Sequence, residues 1–332
     1  MIRSDEIALS IIIVNWKSAA FVRKCLASIY VNTKGISFEV LVVDNASFDG
    51  CGEMIREQYP AVRFIQSQEN LGFARANNLA FAHSTGRNLL FLNPDTELVG
   101  PALECMMACL ESVPDAGVVG PKLLNSDLSI QTSCVRSFPS VLNRVLDSDY
   151  LRAMFRKSSL WGNRVLFEDS RDPLRVEAIS GACLMIRRSV FERVGRFSPE
   201  YFMYGEDTDL CFRVQKAGWK NYYVGEATVI HHGGQSTNSQ PDKRFPSIMM
   251  RESSFKFLRA HRGYLYARVF QSATAIAALC RLSLLAVAMV LPLTVNRRHL
   301  LSLRFAKWVG VFRWAVGLET WVKQFPNVES AD

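Results

Sequence analysis

Between residues 7 and 92 the apolar positions alternate between two periods. Ile7–Trp16 (IALSIIIVNW) is an almost unbroken run rich in β-branched residues, the pattern of a strand covered on both faces. Phe21–Tyr30 then shows helical spacing, Phe38–Val43 predicts a second strand ending at Asp44, and Val62–Gln66 a third. Leu71–His83 returns to a helical period, and Asn88–Leu92 (NLLFL) predicts a fourth buried strand that runs straight into Asn93-Pro94-Asp95. This alternation predicts an open, mostly parallel, Rossmann-like α/β sheet flanked by helices. Polar residues stand at the strand C-termini, where ligands bind in such sheets.

Farther along, residues 131–175 are polar, basic and weakly periodic, the pattern of an inserted lobe. Val176–Arg187 (VEAISGACLMIR) reads as a strand pair, Ser189–Val194 as a short helix, and Glu206–Ala217 as a helix closed by Gly218. Val224–His232 is the last strand of an α/β unit over residues 1–250. A helical extension over 251–332 follows. Within it Ala273–Val295 carries one charge, Arg281, and the uncharged part Leu282–Val295 is 14 residues, short of a bilayer span. Arginines flank it on both sides, which favours a helix that lies on a membrane or re-enters it.

The charge distribution sharpens this. The 332-residue chain has a net charge of +8, but residues 240–332 hold 14 basic and 5 acidic side chains, while residues 1–239 hold 25 and 26. The excess is interleaved with long aliphatic runs. It therefore points to an anionic membrane surface and not to nucleic acid. A hydrophobic content of 49% with 21% charged residues excludes a disordered chain. Eight scattered cysteines lack zinc-site spacing, and Cys105 and Cys109, one helical turn apart, read as core. Charges in MIRSDEIALS stand where a secretory signal would be apolar, so a cytosolic, reducing location is expected.

Candidate chemistry sits at the strand ends. Asp44 can accept from a pyrimidine imide or a ribose hydroxyl, or can cap the following helix. Asn70-Leu71-Gly72-Phe73 places a glycine before a helix N-terminus, where backbone amides can meet phosphate. Asp95 can hold a divalent cation that neutralises a diphosphate leaving group, and the same residues form a type I turn with Pro94 at its second position. The densest cluster is Tyr201-Phe202-Met203-Tyr204-Gly205-Glu206-Asp207-Thr208-Asp209. Its carboxylates favour the macrodipole of the helix they open, and the aromatics before them would raise one toward a general base. His231-His232-Gly233-Gly234 ends a strand and leans toward a metal or phosphate contact.

Taken in order, SIIIVNW, VVDNAS, NLGFARANN, FLNPDTEL, SGACLMIRR, VGRFSPEYFMYGEDTDLCFR and HHGGQS resemble the family 2 glycosyltransferases, and more narrowly their bacterial rhamnosyltransferase-like branch. The resemblance covers about residues 8–262. It implies a GT-A fold, with a nucleotide-sugar half over about 1–130 and an acceptor half over 131–250. It also implies a nucleotide-diphosphate sugar donor, dTDP- or UDP-linked, Mg²⁺ or Mn²⁺, and inversion at the anomeric carbon. By the same resemblance Asn15, Asp44, Asn45, Asn70, Gly72, Asn93 and Asp95 bind the donor, with Asp44 at the base. Asp95 and His231 hold the metal, and Asp207 of the Glu206-Asp207 pair is the catalytic base. The family's Asp-x-Asp motif appears as Asn93-Pro94-Asp95, with one carboxylate, and Ser198 stands where Asp is common. The Gln-x-x-Arg-Trp motif of processive synthases is absent after Gly218-Trp219, which implies transfer of a single sugar.

Together these features imply transfer of rhamnose or a similar sugar to a lipid-linked saccharide of the cell envelope, on the cytoplasmic face of the inner membrane. They leave the oligomeric state open. A dinucleotide-dependent oxidoreductase is excluded, because Asn15-Trp16-Lys17-Ser18-Ala19-Ala20 stands where G-x-G-x-x-G would be. A sugar nucleotidyltransferase would need a glycine-rich N-terminal loop, which is also missing. The alternative of another class is a non-catalytic nucleotide-sugar-binding subunit of a membrane assembly. Intact Asp95 and Asp207 weigh against it.

Overall fold

The structure, a computed structural model, describes residues 6–146, 154, 172–233, 244–291 and 295–324. Most of the expected lobe over 131–175 and residues Gly234, Gln235 and Ser236 of the histidine motif lie outside the described residues.

The N-terminal half is built as the apolar pattern requires. Strand β1 (Leu9–Asn15) is buried at every position, because helices cover both of its faces. It is followed by α1 (Ala19–Asn32), β2 (Phe38–Asn45), α2 (Cys51–Gln58), β3 (Arg63–Ser67), α3 (Gly72–Ala82) and β4 (Asn88–Leu92). The strands β3-β2-β1-β4 pair in parallel, with Asn15 beside Asp44 and Ile13 beside Leu92. Parallel register brings their C-termini to one edge, and the polar residues just beyond the core collect there.

The second half comprises β5 (Thr96–Val99), α4 (Ala102–Ser112), β6 (Ala116–Leu124), β7 (Val135–Arg136), α5 (Val141–Val145), β8 (Leu174–Val176), β9 (Ala178–Ile179), β10 (Cys183–Arg187), α6 (Arg188–Arg193), α7 (Glu206–Lys216) and β11 (Lys220–His231). Among the described residues the main sheet has nine strands, in the order β3-β2-β1-β4-β10-β6-β11-β5, with β8 on β11. Strand β10 runs antiparallel to both β4 and β6, so the parallel order ends beyond β4. Val176–Arg187 is therefore no hairpin. Its pieces pair with four different strands: β8 with β11, β9 with β7, and β10 with β4 and β6 in the sheet centre. Their apolar side chains gain more by filling separate layers than by facing each other.

Among the described residues three helices follow: α8 (Phe245–Arg262), α9 (Tyr264–Val290) and α10 (Val295–Ala315), with a 3₁₀ turn at Trp321–Gln324. The expected boundary at 250/251 falls inside α8. This helix buries Ile248, Met249, Phe257 and Leu258 in a second core that also takes in Phe202, Ala267, Phe270 and Trp314. On α9, Ala267, Phe270, Thr274 and Ala278 form the buried stripe, while Leu265, Val269, Ile276, Leu284 and Val287 are exposed. The helix has 27 residues, and an 18-residue stretch of it, with a mean hydropathy of 2.1 and 11% of its residues buried, is long and apolar enough to cross a membrane. Arg281, which divides the apolar stretch, packs against the fold. Its guanidinium lies 4.4 Å from the Trp308 ring centroid, and Nη2 donates to the Val145 carbonyl at 3.0 Å.

Candidate active site

A cavity of about 370 Å³ opens at the C-terminal edge of the parallel strands. Asn45, Asn70 and Gly72 line one side, Asn93, Asp95 and His231 the middle, and Gly181, Glu206 and Asp207 the other. Eight of the ten expected site residues thus meet at one opening, from segments more than 180 positions apart in the chain.

In the middle, His231 Nε2 lies 3.3 Å from Asp95 Oδ1 and 3.3 Å from Asn93 Nδ2. The far ring nitrogen, Nδ1, is 2.7 Å from Gln131 Oε1. Gln131 Nε2 donates to Asn125 Oδ1 and to the His231 carbonyl, which fixes the amide with its oxygen toward the ring. Nδ1 then carries the proton, and the Nε2 lone pair faces Asp95, the orientation that outer partners impose on metal-ligating histidines. An imidazole nitrogen and a carboxylate oxygen at this spacing suit adjacent ligands of a small divalent cation. Among the described residues no third His, Cys, Asp or Glu joins them. Diphosphate oxygens and water would complete such a shell, as Mg²⁺ prefers. The chain also turns at Pro94-Asp95: Thr96 Oγ1 donates to the Asn93 carbonyl at 2.7 Å, and the His232 amide ties the turn to the end of β11 through the Asp95 carbonyl.

The acidic side opens α7. Gly205 precedes it at φ +88°, and a Cβ there would meet Ser253 of α8 at 3.1 Å. Burial foremost, and next the charge of Asp207, pushes the Glu206 carboxyl up to about 8, and Glu206 Oε2 has no hydrogen-bond partner among the described residues. The raised carboxyl expected behind the aromatics is thus Glu206. Asp207 is oriented tightly, with Oδ2 accepting from the Gly181 amide at 2.8 Å and from Arg136 Nη1 at 3.1 Å. Asp209, the third carboxylate, points away, accepting from Arg213 Nε at 2.8 Å and from His261 Nε2 at 2.7 Å.

Two expected donor contacts stand behind the wall. Asn15 donates to Asp44 Oδ1 at 2.7 Å and to Asp49, and Asp44 Oδ2 accepts from the Ser47 and Phe48 amides and from Gln66. Burial works to raise the Asp44 carboxyl, but these hydrogen bonds outweigh it and hold the group below its ordinary range. The pair shapes the strand ends from within. The amides around Gly72 are also committed: Leu71 N donates to Asn45 Oδ1, Gly72 N to Asn70 Oδ1, and Phe73 N to the Phe202 carbonyl. No anion cradle forms there, contrary to the sequence expectation. Gly72 is needed for closeness, since at φ +73° a Cβ would lie 2.3 Å from the Phe202 oxygen.

Sequence reasoning missed Trp16, Arg136 and His261. Trp16 follows β1 and lines the cavity as its aromatic wall. Arg136 sits on a two-residue strand, too short for any periodicity. His261 lies 52 residues from the carboxylate it contacts.

An open α/β sheet whose strand ends gather amides, a carboxylate–imidazole pair and a buried acid pair defines a glycosyl-transferring enzyme of the GT-A type. The chain belongs to glycosyl transferase family 2, whose family model matches residues 10–195, and the model of glycosyl transferase family group 2 matches residues 143–318. It is a rhamnosyltransferase-like glycosyltransferase. It is 31% identical over 247 residues to the N-acetylglucosaminyl-diphospho-decaprenol L-rhamnosyltransferase of Mycobacterium tuberculosis, covering 70% of this chain and 78% of that one. The rhamnosyltransferase WbbL of Escherichia coli is 28% identical over 262 residues, covering 76% of this chain and 93% of its own. In fold it is similar to a mannosyltransferase from Pyrobaculum calidifontis in complex with GDP-Man and Mn²⁺ (TM-score 0.55, 16% identity, 95% and 88% covered). It is also similar to GalNAc-T7 with UDP, GalNAc and Mn²⁺ (TM-score 0.54, 15% identity), where it covers 78% of itself and spans about half of that chain.

Proposed function

We propose that the protein transfers one sugar, rhamnose or a close relative, from a nucleotide-diphosphate sugar to a hydroxyl of a lipid-linked saccharide in envelope polysaccharide synthesis. The observation that carries this reading is the placement of Asp95 with His231 and of Glu206 with Asp207 on one cavity. Asn45 and Asn70 supply polar contacts and Trp16 an aromatic face for the donor. Asp207, aimed by Arg136 and the Gly181 amide, takes the proton from the acceptor hydroxyl. The freed oxygen attacks the anomeric carbon as the bond to the diphosphate breaks on the opposite face, which inverts the configuration and releases a nucleoside diphosphate. Glu206 keeps its own proton near neutrality, so it can donate a hydrogen bond to a sugar oxygen without competing for the acceptor's proton. Asp95 and His231 fit Mg²⁺ or Mn²⁺, which when bound neutralises charge on the leaving diphosphate.

The acceptor reading is supported by the exposed apolar face of α9 and the basic excess after residue 240, which suit the cytoplasmic face of the inner membrane. The test is nucleoside diphosphate release by purified protein across a panel of dTDP- and UDP-sugars with a polyprenyl-linked saccharide. One donor should give acceptor-dependent release with inverted product. Binding of donors without release in any combination would instead make the protein a non-catalytic subunit.

A further inference from the structure

A second cavity, of about 190 Å³, adjoins the first, and Arg136 and Tyr204 line both. Arg144 is its other cation, and no Asp or Glu is among its described lining residues. Met250 and Phe257 of α8 give it an apolar side. Two guanidinium groups on one small cavity, with no carboxylate among its described lining residues, suit a strongly charged anion, phosphate above all, since planar forked donors match phosphate oxygens.

Its position narrows the choice. Arg136 spends Nη1 on Asp207 and retains further N–H donors for a second partner. Arg144 sits on α5, whose start is fixed by a capping box in which the Asn143 amide donates to Ser140 Oγ and the Ser140 amide to Asn143 Oδ1. The same helix is bound to α9: the Val141 amide donates to Tyr266 Oη at 3.4 Å and Arg281 Nη2 to the Val145 carbonyl at 3.0 Å. The cavity therefore lies between the acid pair and the long apolar helix.

We propose that this second cavity binds the diphosphate that joins the acceptor saccharide to its lipid. Arg144 and the outer edge of Arg136 are its cationic ligands, and the lipid chain leaves past Met250 and Phe257 toward α9. The inference rests on the lipid-linked acceptor proposed above, and it makes the linker a determinant of acceptor choice: a sugar on a neutral aglycone would fill the first cavity and leave the second empty.

The test measures binding, independent of transfer, with full-length protein in neutral detergent and EDTA, using calorimetry with farnesyl diphosphate and with farnesol. The diphosphate should bind about 10- to 100-fold tighter than the alcohol, Arg144→Gln should lose most of that margin, and Arg144→Lys should restore part of it. Asp95→Ala should keep wild-type binding, which separates this cavity from the donor side. Equal affinity for diphosphate and alcohol, or wild-type affinity in Arg144→Gln, overturns the proposal. If Arg144→Gln does not fold, competition on the wild type decides. Inorganic pyrophosphate should displace farnesyl diphosphate, and phosphatidylglycerol bicelles should do so no better than phosphatidylcholine. Selective displacement by phosphatidylglycerol would assign the cavity to bulk headgroups and overturn the acceptor role. Diphosphate binding without nucleotide release for any donor would sink the transferase reading and leave the anion site standing.

Discussion

Replacing Glu206 by glutamine should stabilise the protein at alkaline pH and leave its stability nearly unchanged at acid pH. The residue is 5% exposed, and its Oε2 has no hydrogen-bond partner among the described residues, so ionising it would place a poorly compensated charge beside Asp207. Burial and that neighbour raise the carboxyl from 4.5 to about 8. Below the lower value the group is protonated in folded and unfolded chains alike, and it costs nothing. Between the two values only the unfolded chain releases the proton, so each pH unit destabilises the folded state by about 1.4 kcal/mol. Above the upper value both states are ionised, and the loss, on the order of 5 kcal/mol, is complete. Glutamine keeps the shape and has no proton to hold. Urea unfolding of both proteins in detergent from pH 5 to pH 9 should show the stability difference opening steadily, in favour of the variant, and then levelling. A constant difference would mean that Glu206 is ionised in the fold throughout, and that the buried-acid reading is wrong.

Asp207→Asn should lower kcat by about 100-fold or more with donor affinity kept, because the amide cannot take the hydroxyl proton. Near-wild-type turnover would remove Asp207 from the mechanism, and a larger loss in Glu206→Gln would move the base there. EDTA should abolish transfer, and His231→Ala should raise the Mn²⁺ concentration needed for half activity by about 10- to 100-fold, whereas full activity in EDTA would assign charge neutralisation to protein cations. The full-length protein should stay with membranes in high salt. Leu284→Glu with Val287→Glu, both on the exposed face of α9, should release it, since each buried aliphatic side chain contributes about 1.5–3 kcal/mol. Wild-type protein remaining in the supernatant at low salt would refute membrane docking.

The parts of the fold that were legible in sequence are those whose cause is local. β1 and β4 announce themselves because burial on both faces demands an unbroken apolar run, and α7 because Gly205 and Gly218 bound it. β5 was not legible: Thr96–Val99 is four residues directly after a turn, and its strand character comes from pairing with β11, more than 120 positions away. The site divides in the same way. Asp95, His231, Glu206 and Asp207 stand at element ends that the pattern marks. Arg136 acquires its role only when the β7–β9 pair carries it to Asp207. Asn15 and Asp44 show the converse. A polar residue at a strand end was read as facing a ligand, and here two such side chains satisfy one another.

The contact between His261 and Asp209 bears on any attempt to obtain this enzyme without detergent. His261 stands in the last turn of α8, packed on Phe212 and Phe257 with ring centroids 4.4 and 4.7 Å away, and its Nε2–H secures the third carboxylate of the acidic helix. A chain ended at residue 250 to shed the apolar helices would strip away that imidazole and most of the core beneath Phe202. It would leave Asp209 with Arg213 as its remaining cation. Water-soluble versions are better sought by recolouring the outward stripe of α9, residue by residue, with polar side chains. The inward stripe is then left to hold the catalytic end in place.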